Sequence, residues 1–343
     1  MSDFSIGIVG LPNVGKSTLF KALTNISVEI APYPFTTINP NIGIVPIPDE
    51  RLETLAKIVK PERVTFATLK IVDIAGLIRG AHKGEGLGNQ FLAQIRNCDG
   101  ILMVIRAFQK ESVENVLGEI NPDKEIEILH TELLMKDLEV IENALNKLEK
   151  GGREKETEKK ISLLKKIKEE IGRGKLISQL DLSQEEKKEI KEYQFLTQKP
   201  IIYLFNTDEK TSFSSKFNGI LANLKEEEEI AQLTIEERKE LGVESILDKL
   251  IVACYNILNL IRFYTVAKGK EVRSWILEKG KNILEAAEIV HSDFKEKFIK
   301  AEIIKWEKLV EVGGWKEAKG RGLLKIVGKD YIVEDGDVIE FKI

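Results

Sequence analysis

The segment that most constrains this chain is a glycine-rich stretch near its N-terminus, GLPNVGKS at residues 10–17. The apolar run at residues 4–9 predicts a buried strand ahead of it, and residues 17–23 behind it carry apolar side chains at helical spacing. The stretch matches the pattern G-x-x-x-x-G-K-[ST], in which loop N–H groups and a helix N-terminus bind phosphate. An ordinary glycine turn is the alternative, and the strand–loop–helix context makes it the weaker one.

Four residues in and after this loop carry the chemistry of such a site. Lys16 supplies a positive charge to the outer phosphates, and the hydroxyl of Ser17 binds Mg²⁺. Asp73 ends a predicted strand and is placed to hold the metal through water. Gly76 follows it and offers a backbone N–H to a γ-phosphate. The sequence therefore predicts a site for a magnesium–nucleotide complex.

Two further segments are typical of a nucleotide-dependent switch. Residues 35–38, FTTI, form a candidate first switch in which one threonine hydroxyl reaches Mg²⁺. Residues 77–89 contain four glycines and predict a mobile second switch that a γ-phosphate orders. We therefore expect the two segments to respond to the nucleotide that is bound.

Composition describes a globular chain with more than one domain. Its 343 residues are enough for two or three domains. No apolar run approaches the ~20 residues that span a bilayer, so we expect a cytoplasmic protein that has no contact with a membrane. Cys98 and Cys254 lack the spacing of metal ligands and are expected to be reduced core thiols. The net charge of −4 argues against nonspecific binding through overall charge, although it leaves a local basic face possible.

Three regions are expected along the chain. Residues 1–125 alternate short β-rich runs with helical segments, a pattern typical of a mostly parallel sheet. Residues 126–199 are rich in Glu, Lys, Leu and Ile and predict a helical insertion. A buried strand returns at residues 200–205, so the insertion interrupts the nucleotide-binding domain. The strands predicted in the first region are 4–9, 41–47, 67–73 and 100–106.

Two apolar stripes within the insertion follow helical spacing, one on each side of the glycine pair at 151–152. Two helices that fold back at this pair form an antiparallel hairpin. The alternative is a helical insertion with a solvated outer face, and the pattern identifies no partner for it. The stripes consist of Leu134, Leu138, Ile141, Leu145 and Leu148, and of Ile161, Leu164, Ile167 and Ile171.

The last region, residues 263–343, mixes strand patterns with one predicted helix at about 282–290. A helix predicted at 246–261 leads into this region. Near the end of the chain, apolar and aromatic residues flank Asp335-Gly336, which predicts two strands joined by an Asp-Gly turn.

The segment after the strand at 200–205 predicts which base is bound. Guanine-specific switches place Asn-Lys-x-Asp there, and the aspartate accepts two hydrogen bonds from the guanine edge. Here Asn206 is followed by Thr207 in place of the lysine and by Glu209 in place of the aspartate. Because a carboxylate that binds guanine does not suit adenine, the altered signature weakens the case for GTP and favours ATP.

These motifs together resemble one family, the YchF-type Obg-like ATPases among the translation-factor-related P-loop NTPases. The resemblance implies an α/β fold, in which a P-loop NTPase domain with a mostly parallel sheet is interrupted by an antiparallel helical hairpin. A ubiquitin-like β-grasp TGS domain follows. The implied domains are an OBG-type domain at 1–125 and 200–262, a coiled-coil insertion at 126–199 and a TGS domain at 263–343. The segments that carry the resemblance are GLPNVGKST, YPFTTINPN, DIAGLIRGAHKGEGLGNQFL, NTDE and GKDYIVEDGDVIEF.

The resemblance also implies an activity. Members of the family hydrolyse ATP in preference to GTP, need Mg²⁺ and associate with the ribosome, through rRNA and ribosomal protein, as nucleotide-dependent switches in translation or the stress response. Transferred to this chain, Ser17 and Thr37 supply metal hydroxyls, and Asn206 with Thr207 and Glu209 faces the base. The implied nucleotide loop consists of Asn13, Val14, Gly15, Lys16, Ser17 and Thr18.

The group that activates the hydrolytic water is the open part of this assignment. Leu77 stands where many GTPases place a water-orienting glutamine, and an aliphatic side chain cannot orient water. Asn115 stands where related chains carry a histidine, and it can bind a water but not accept its proton. His82, in the second switch, is the nearest alternative group for activating the water, although a histidine in an exposed loop more often has no catalytic role. Two function classes therefore remain: a nucleotide-hydrolysing switch on the ribosome, and a nucleotide-gated ribosome- or RNA-binding module with incidental hydrolysis of ATP or GTP.

Overall fold

The computed structural model describes residues 4–30, 37–39, 41–74, 88–110, 112–150, 155–267 and 270–343. The strands are β1 (Ser5–Val9), β2 (Thr37–Asn39), β3 (Ile42–Pro46), β4 (Arg63–Thr65), β5 (Thr68–Asp73), β6 (Gly100–Ala107), β7 (Ile201–Thr207), β8 (Ile220–Ala222), β9 (Leu260–Ala267), β10 (Glu271–Glu278), β11 (Lys300–Lys305), β12 (Lys325–Val327) and β13 (Asp337–Lys342). The helices are α1 (Lys16–Ile30), α2 (Glu50–Val59), α3 (Gly88–Arg96), α4 (Pro122–Lys150), α5 (Lys155–Gly172), α6 (Gln184–Glu189), α7 (Leu224–Ile230), α8 (Ile235–Leu241), α9 (Leu247–Asn256), α10 (Ile283–Val290), α11 (Ser292–Glu296), α12 (Trp306–Val312) and α13 (Trp315–Gly320). Within these ranges no helix combines the length and apolar character needed to cross a membrane.

The larger sheet has the strand order β2-β3-β5-β1-β6-β7-β8. Strands β5, β1, β6, β7 and β8 run parallel, whereas β3 is antiparallel to β5 and β2 is antiparallel to β3. The central strands β1 and β6 are buried along their whole length, in one core with side chains of α1, α3, α4 and α9. The carboxyl ends of the parallel strands meet at one edge, which is where ligands bind in such sheets.

The strands predicted for this sheet are confirmed. β1, β3, β5, β6 and β7 lie within one or two residues of the predicted ranges. The mostly parallel arrangement is also as predicted, with the return strand β7 paired directly to β6. β8 was not predicted, since three residues are too few for a periodic pattern.

The helical insertion is built mainly from α4 and α5, in agreement with the two apolar stripes. Ile141 and Ile167 are fully buried in a core that these helices share with the segment following them. The first turns of α4 belong elsewhere, because Ile126 and Leu129 are buried in the core of the larger sheet. Helix α4 therefore connects the sheet to the insertion. The glycine pair at 151–152 lies outside the described residues.

The second sheet has the strand order β12-β11-β13-β9-β10-β4. β9 and β10 are antiparallel, β13 is parallel to β9, and β11 is antiparallel to both β13 and β12. Helix α10 shares a core with this sheet, in which Ala286 and Phe263 are fully buried. The helix predicted at 282–290 is confirmed, and the side chain of Asn282 caps its N-terminus.

An N-terminal segment supplies one edge of the second sheet. Strand β4 pairs in parallel with β10, although some two hundred residues separate them. The preceding helix α2 buries Leu52 and Leu55 in one core with Leu309 and Val312 of α12. The polypeptide between β3 and β5 therefore connects the two sheets, which the sequence pattern did not predict.

Near the second sheet, one predicted helix is confirmed but ends earlier than predicted, and one predicted strand pair is wrong. The helix predicted at 246–261 ends at Asn256, because Asn259 adopts a left-handed φ of 52° and β9 begins directly after it. The two strands predicted around Asp335-Gly336 do not form a hairpin. Strand β13 follows the turn, but its partners are β11 and β9, and Ile332 ahead of the turn makes only an isolated bridge to Asn282. The apolar and aromatic residues after Asp335-Gly336 predicted strand β13 correctly. The partners of β13 are strands that lie far from it in the sequence.

Candidate nucleotide site

The phosphate loop between β1 and α1 has a backbone that requires its glycines. Gly15 adopts a φ of 108°, and a Cβ there would lie 2.5 Å from Nδ2 of Asn206. A Cβ at Gly10 would lie 2.4 Å from the carbonyl oxygen of Val104. Asn13 adopts a φ of 63°, a conformation that asparagine tolerates better than most residues. The glycines therefore allow the loop to lie directly against β6 and β7.

Lys16, Ser17 and Asp73 come together where β5 ends and α1 begins. The Nζ atom of Lys16 donates to the carbonyl oxygen of Leu11 at 2.8 Å, and the hydroxyl of Ser17 donates to Oδ2 of Asp73 at 3.2 Å. Burial lowers the pKa of Lys16, an effect that Asp73 opposes. Burial also raises the pKa of Asp73, against the effects of Ser17 and Lys16. Because the described residues do not fully compensate either charge, an anion at Lys16 and a cation at Asp73 are the complementary ligands.

A cavity of about 660 Å³ opens beside these residues. It lies at the carboxyl edge of the larger sheet, between the phosphate loop and the segments that follow β6 and β7. The side chain of Val14, a residue of the loop, is buried, and Glu209 is exposed and does not line the cavity. The predicted residues that line the cavity are Asn13, Gly15, Lys16, Ser17, Thr18, Asn206 and Thr207.

Asn206 links the phosphate loop to the opposite side of the cavity. Its Nδ2 donates to the carbonyl oxygen of Val14 at 2.9 Å, and its Oδ1 accepts from the backbone N–H of Leu224 at 3.2 Å. The side chain is buried, so both hydrogen bonds are shielded from water. In this structure Asn206 holds the loop and the start of α7 at fixed positions, a role that the sequence comparison with guanine-specific switches did not predict.

Asp208 was not singled out from the sequence, and it organises the same region. Its carboxylate accepts from the backbone N–H groups of Gln109, Lys210 and Thr211, at 2.9, 2.9 and 2.6 Å. It also accepts from the hydroxyl of Thr211 at 2.9 Å. These hydrogen bonds, led by that from Gln109, lower the pKa of Asp208 to about 2. An aspartate shortly after a predicted strand is typical of an Asx-turn, and this pattern could have predicted the role of Asp208 from the sequence.

Of the remaining candidates for hydrolysis and metal binding, only Asn115 has a side chain in the described part of the structure. The side chain of Asn115 closes a local turn, because Nδ2 donates to the carbonyl oxygen of Glu119 at 2.8 Å and Oδ1 accepts from the N–H of Leu117 at 3.0 Å. Thr37 is the first residue of β2, with its side chain outside the described part. Gly76 and His82 also lie outside the described residues, as do Leu77 and most of the second switch.

Glu125 is a second residue that sequence reasoning missed. Its Oε2 accepts the backbone N–H of Arg106 at 3.1 Å, while Oε1 has no hydrogen-bond partner among the described residues. Burial raises the pKa of this carboxyl to about 8, although Lys16 and Arg106 both oppose the shift. Burial therefore favours the neutral form of this carboxyl, so it compensates the charge of Lys16 less than an ordinary carboxylate would.

Two family models match the chain. Residues 5–147 match a family described as a 50S ribosome-binding GTPase. Residues 260–343 match the C-terminal domain of YchF GTPases, which is described as a protein of unknown function. The first match covers β1 to β6 and most of α4, including strand β4 of the second sheet, and the second match covers β9 to β13.

Relatives match the chain over nearly its full length. The ribosome-binding ATPase YchF of Haemophilus influenzae is 44% identical over 362 residues, covering 99% of both chains. The protein of the same name from Bacillus subtilis is 40% identical over 359 residues, covering 98% of both chains. The solved structure of the YchF GTPase of Schizosaccharomyces pombe is 35% identical, covers 100% of this chain and 98% of that chain, and superposes with a TM-score of 0.88.

Proposed function

The chain belongs to the YchF family, and we therefore propose that it is a ribosome-binding nucleoside triphosphatase that hydrolyses ATP in preference to GTP. One observation carries the catalytic part of the proposal, namely that Lys16, Ser17 and Asp73 meet beside a cavity of about 660 Å³. The ribosomal part rests on the names of the relatives, which are ribosome-binding ATPases. We further propose that the protein works in the cytoplasm as a switch in translation or the stress response.

We propose that residues of the loop bind the triphosphate together with Mg²⁺. Ser17 and Thr37 provide hydroxyl ligands, and Asp73 binds the metal through water. The oxygen donors at Ser17 and Asp73 suit magnesium, which keeps several waters and shares its ligands with phosphates. Among the described residues no group of three or more His, Cys, Asp or Glu side chains forms a metal site by itself, which is compatible with joint binding. When bound, the metal neutralises charge on the outer phosphates.

We assign the roles of the chain's own groups from the contact of Lys16 and from the sequence motifs. Lys16 exchanges its hydrogen bond to the Leu11 carbonyl for a phosphate oxygen, and Gly76 offers its N–H to the γ-phosphate. Asn115 or His82 is the candidate for orienting the water. With an amide at one position and a loop histidine at the other, we expect slow hydrolysis that a partner accelerates.

One observation favours the second function class, a nucleotide-gated binding module. Both polar groups of Asn115 are used in its local turn, and Leu77 replaces the usual glutamine. A nucleotide-gated ribosome-binding module with incidental hydrolysis would need no dedicated group to activate water. Turnover that ribosomes do not change would favour this module over the switch.

Adenine preference rests on the loop after β7. In the proposal Asn206, Thr207 and Glu209 border the base, and the altered signature removes the aspartate that guanine requires. The relatives differ in name, since the two bacterial proteins are called ATPases and the Schizosaccharomyces pombe protein is called a GTPase. The nucleotide preference of this chain is therefore a direct test of the proposal.

We expect ATP to displace a fluorescent ADP analogue at a concentration about tenfold lower than GTP does, because the carboxylate that reads guanine is absent. Competition titrations in the presence of Mg²⁺ measure this ratio. Glu209→Asp restores the shorter carboxylate of guanine-specific switches. In this variant the concentrations of ATP and GTP needed for displacement should be closer to each other. Equal displacement by ATP and GTP, or stronger displacement by GTP, would contradict the assignment.

The domain assignment is also a proposal. We assign residues 1–125 and 200–262 to an OBG-type nucleotide-binding domain, 126–199 to a coiled-coil insertion and 263–343 to a TGS domain. The second sheet supports the β-grasp assignment, because its antiparallel pair β9–β10 is followed by α10 and the last strand β13 runs parallel to β9. The ribosome, through rRNA and ribosomal protein, is the proposed partner of the assembled domains.

A further inference from the structure

Arg106 occupies an unusual position at the end of β6. Its backbone lies opposite that of Asn206 in the parallel pairing of β6 with β7, beside the nucleotide cavity. The residue is 5% exposed, and its guanidinium lies 4.4 Å from the ring centroid of Phe108. Burial lowers the pKa of the guanidinium, with Glu125 opposing the shift. An arginine so deeply buried requires specific hydrogen-bond acceptors.

Those acceptors are all main-chain carbonyls of one short segment. We call residues 108–110 and 112–114 the wall segment. Nε of Arg106 donates to the carbonyl of Phe108 at 3.2 Å, and Nη1 donates to that of Glu114 at 3.0 Å. Nη2 donates to the carbonyls of Lys110 at 3.4 Å and Val113 at 3.0 Å. One planar side chain therefore binds both ends of the segment, which a lysine cannot do with a single ammonium group.

The wall segment forms one side of the nucleotide cavity. Phe108, Gln109, Lys110 and Val113 belong to the cavity lining. The backbone N–H of Gln109 donates to Asp208, so the segment is also bound to the loop that follows β7. The amide of Asn13 in the phosphate loop donates weakly to the carbonyl of Glu114 at 3.4 Å. The segment thus touches both loops that the proposed function assigns to the nucleotide.

We propose that Arg106 is a positioning residue that fixes the wall segment before nucleotide binds, and so sets the affinity for the nucleoside part of ATP. This inference rests on the proposed function, because it concerns the same cavity. The free segment would expose carbonyls to water and sample many conformations, and nucleotide binding would then have to order it. With Arg106 in place, the ordering has already occurred during folding. Asp208 contributes a second, weaker anchor from the opposite loop.

The test compares Arg106→Lys with Arg173→Lys, a matched substitution of an exposed arginine in the insertion. Arg106→Lys should weaken ATP binding about tenfold, because it removes several hydrogen bonds made by one charged group. Inorganic tripolyphosphate, which engages only the phosphate loop, should bind both variants as it binds the unaltered protein. Hydrogen exchange should accelerate in the wall segment and stay unchanged in residues 10–17. Arg173→Lys should change none of these readouts.

The other outcomes contradict either the inference or the proposed function, and they can be told apart. Unchanged ATP affinity in Arg106→Lys would show that the wall segment needs no such anchor. An equal loss for ATP and tripolyphosphate, with faster exchange throughout the larger sheet, would show a general loss of folding. If Arg106→Lys does not fold, Arg106→Gln replaces it, since a neutral amide cannot donate to all four carbonyls, and unchanged exchange in the wall segment then contradicts the account. Failure of the unaltered protein to bind ATP would contradict the proposed function instead, while the exchange pattern still tests Arg106.

Discussion

Replacing Lys16 with alanine should lower ATP turnover by at least about two orders of magnitude, which is the typical cost of removing one preorganised donor to developing charge. The ammonium group is buried beside Asp73, and among the described residues it donates a hydrogen bond to the Leu11 carbonyl, which it can exchange for one to a phosphate oxygen. ATP binding should weaken in the same variant, because alanine leaves the outer phosphates without a counter-charge. Steady-state turnover and equilibrium titration with ATP measure the two effects.

The matched control for this prediction lies on the same helix. Lys21 is an exposed lysine of α1, and Lys21→Ala should leave turnover and ATP affinity unchanged within about twofold. Far-ultraviolet circular dichroism should be the same for both variants. If Lys16→Ala bound ATP with undiminished affinity, the assignment of the phosphate site itself would be wrong.

Replacing Asp137 with alanine should destabilise the helical insertion by about 3 kcal/mol, because it leaves buried donors without an acceptor. The carboxylate of this fully buried residue accepts from the backbone N–H groups of Leu196 and Thr197 at 2.7 and 2.8 Å, and from the Thr197 hydroxyl at 2.7 Å. These hydrogen bonds bind α4 to the segment that leads back into β7. Burial raises the pKa of Asp137 to about 6, so the group is ionised at about pH 8, where urea denaturation should be measured.

An exposed carboxylate of the same helix provides the control. Glu139 makes a surface ion pair with Lys136, and Glu139→Ala should change the unfolding free energy by less than about 1 kcal/mol. Hydrogen exchange at Leu196 and Thr197 should accelerate in Asp137→Ala alone. A urea midpoint equal to that of Glu139→Ala would show that the buried carboxylate does not hold the insertion.

The parts of the fold that the sequence predicted correctly have local causes. The strand, loop and helix around Lys16 are specified by neighbouring residues, through an apolar run, required glycines and helical spacing. The stripe that includes Ile141 predicted α4 for the same reason, since periodicity is a property of contiguous residues. Family resemblance then supplied the order of the larger units, which local patterns do not contain.

The parts that were missed depend on contacts between distant residues. Strand β4 joins β10 across the chain, and β13 pairs with β9 and β11, so no local pattern showed either pairing. In the candidate site, the amide of Asn206 binds Val14 and Leu224, contacts that its predicted place beside a base did not reveal. The sequence predicted Arg106 only as the last residue of a strand. Its four hydrogen-bond acceptors are main-chain carbonyls, and because every residue has one, no residue type in the sequence indicated them.

The most direct test of the account is ATP turnover in the presence of Mg²⁺, measured with and without ribosomes. Without ribosomes we predict turnover well below the ~1–100 s⁻¹ typical of protein kinases, because neither Leu77 nor Asn115 can deprotonate water. Adding ribosomes should raise the turnover of ATP more than that of GTP, and Lys16→Ala should abolish the response. Fast turnover by the protein alone, or ribosome binding that leaves ATP turnover unchanged, would contradict the proposal of a ribosome-activated ATPase.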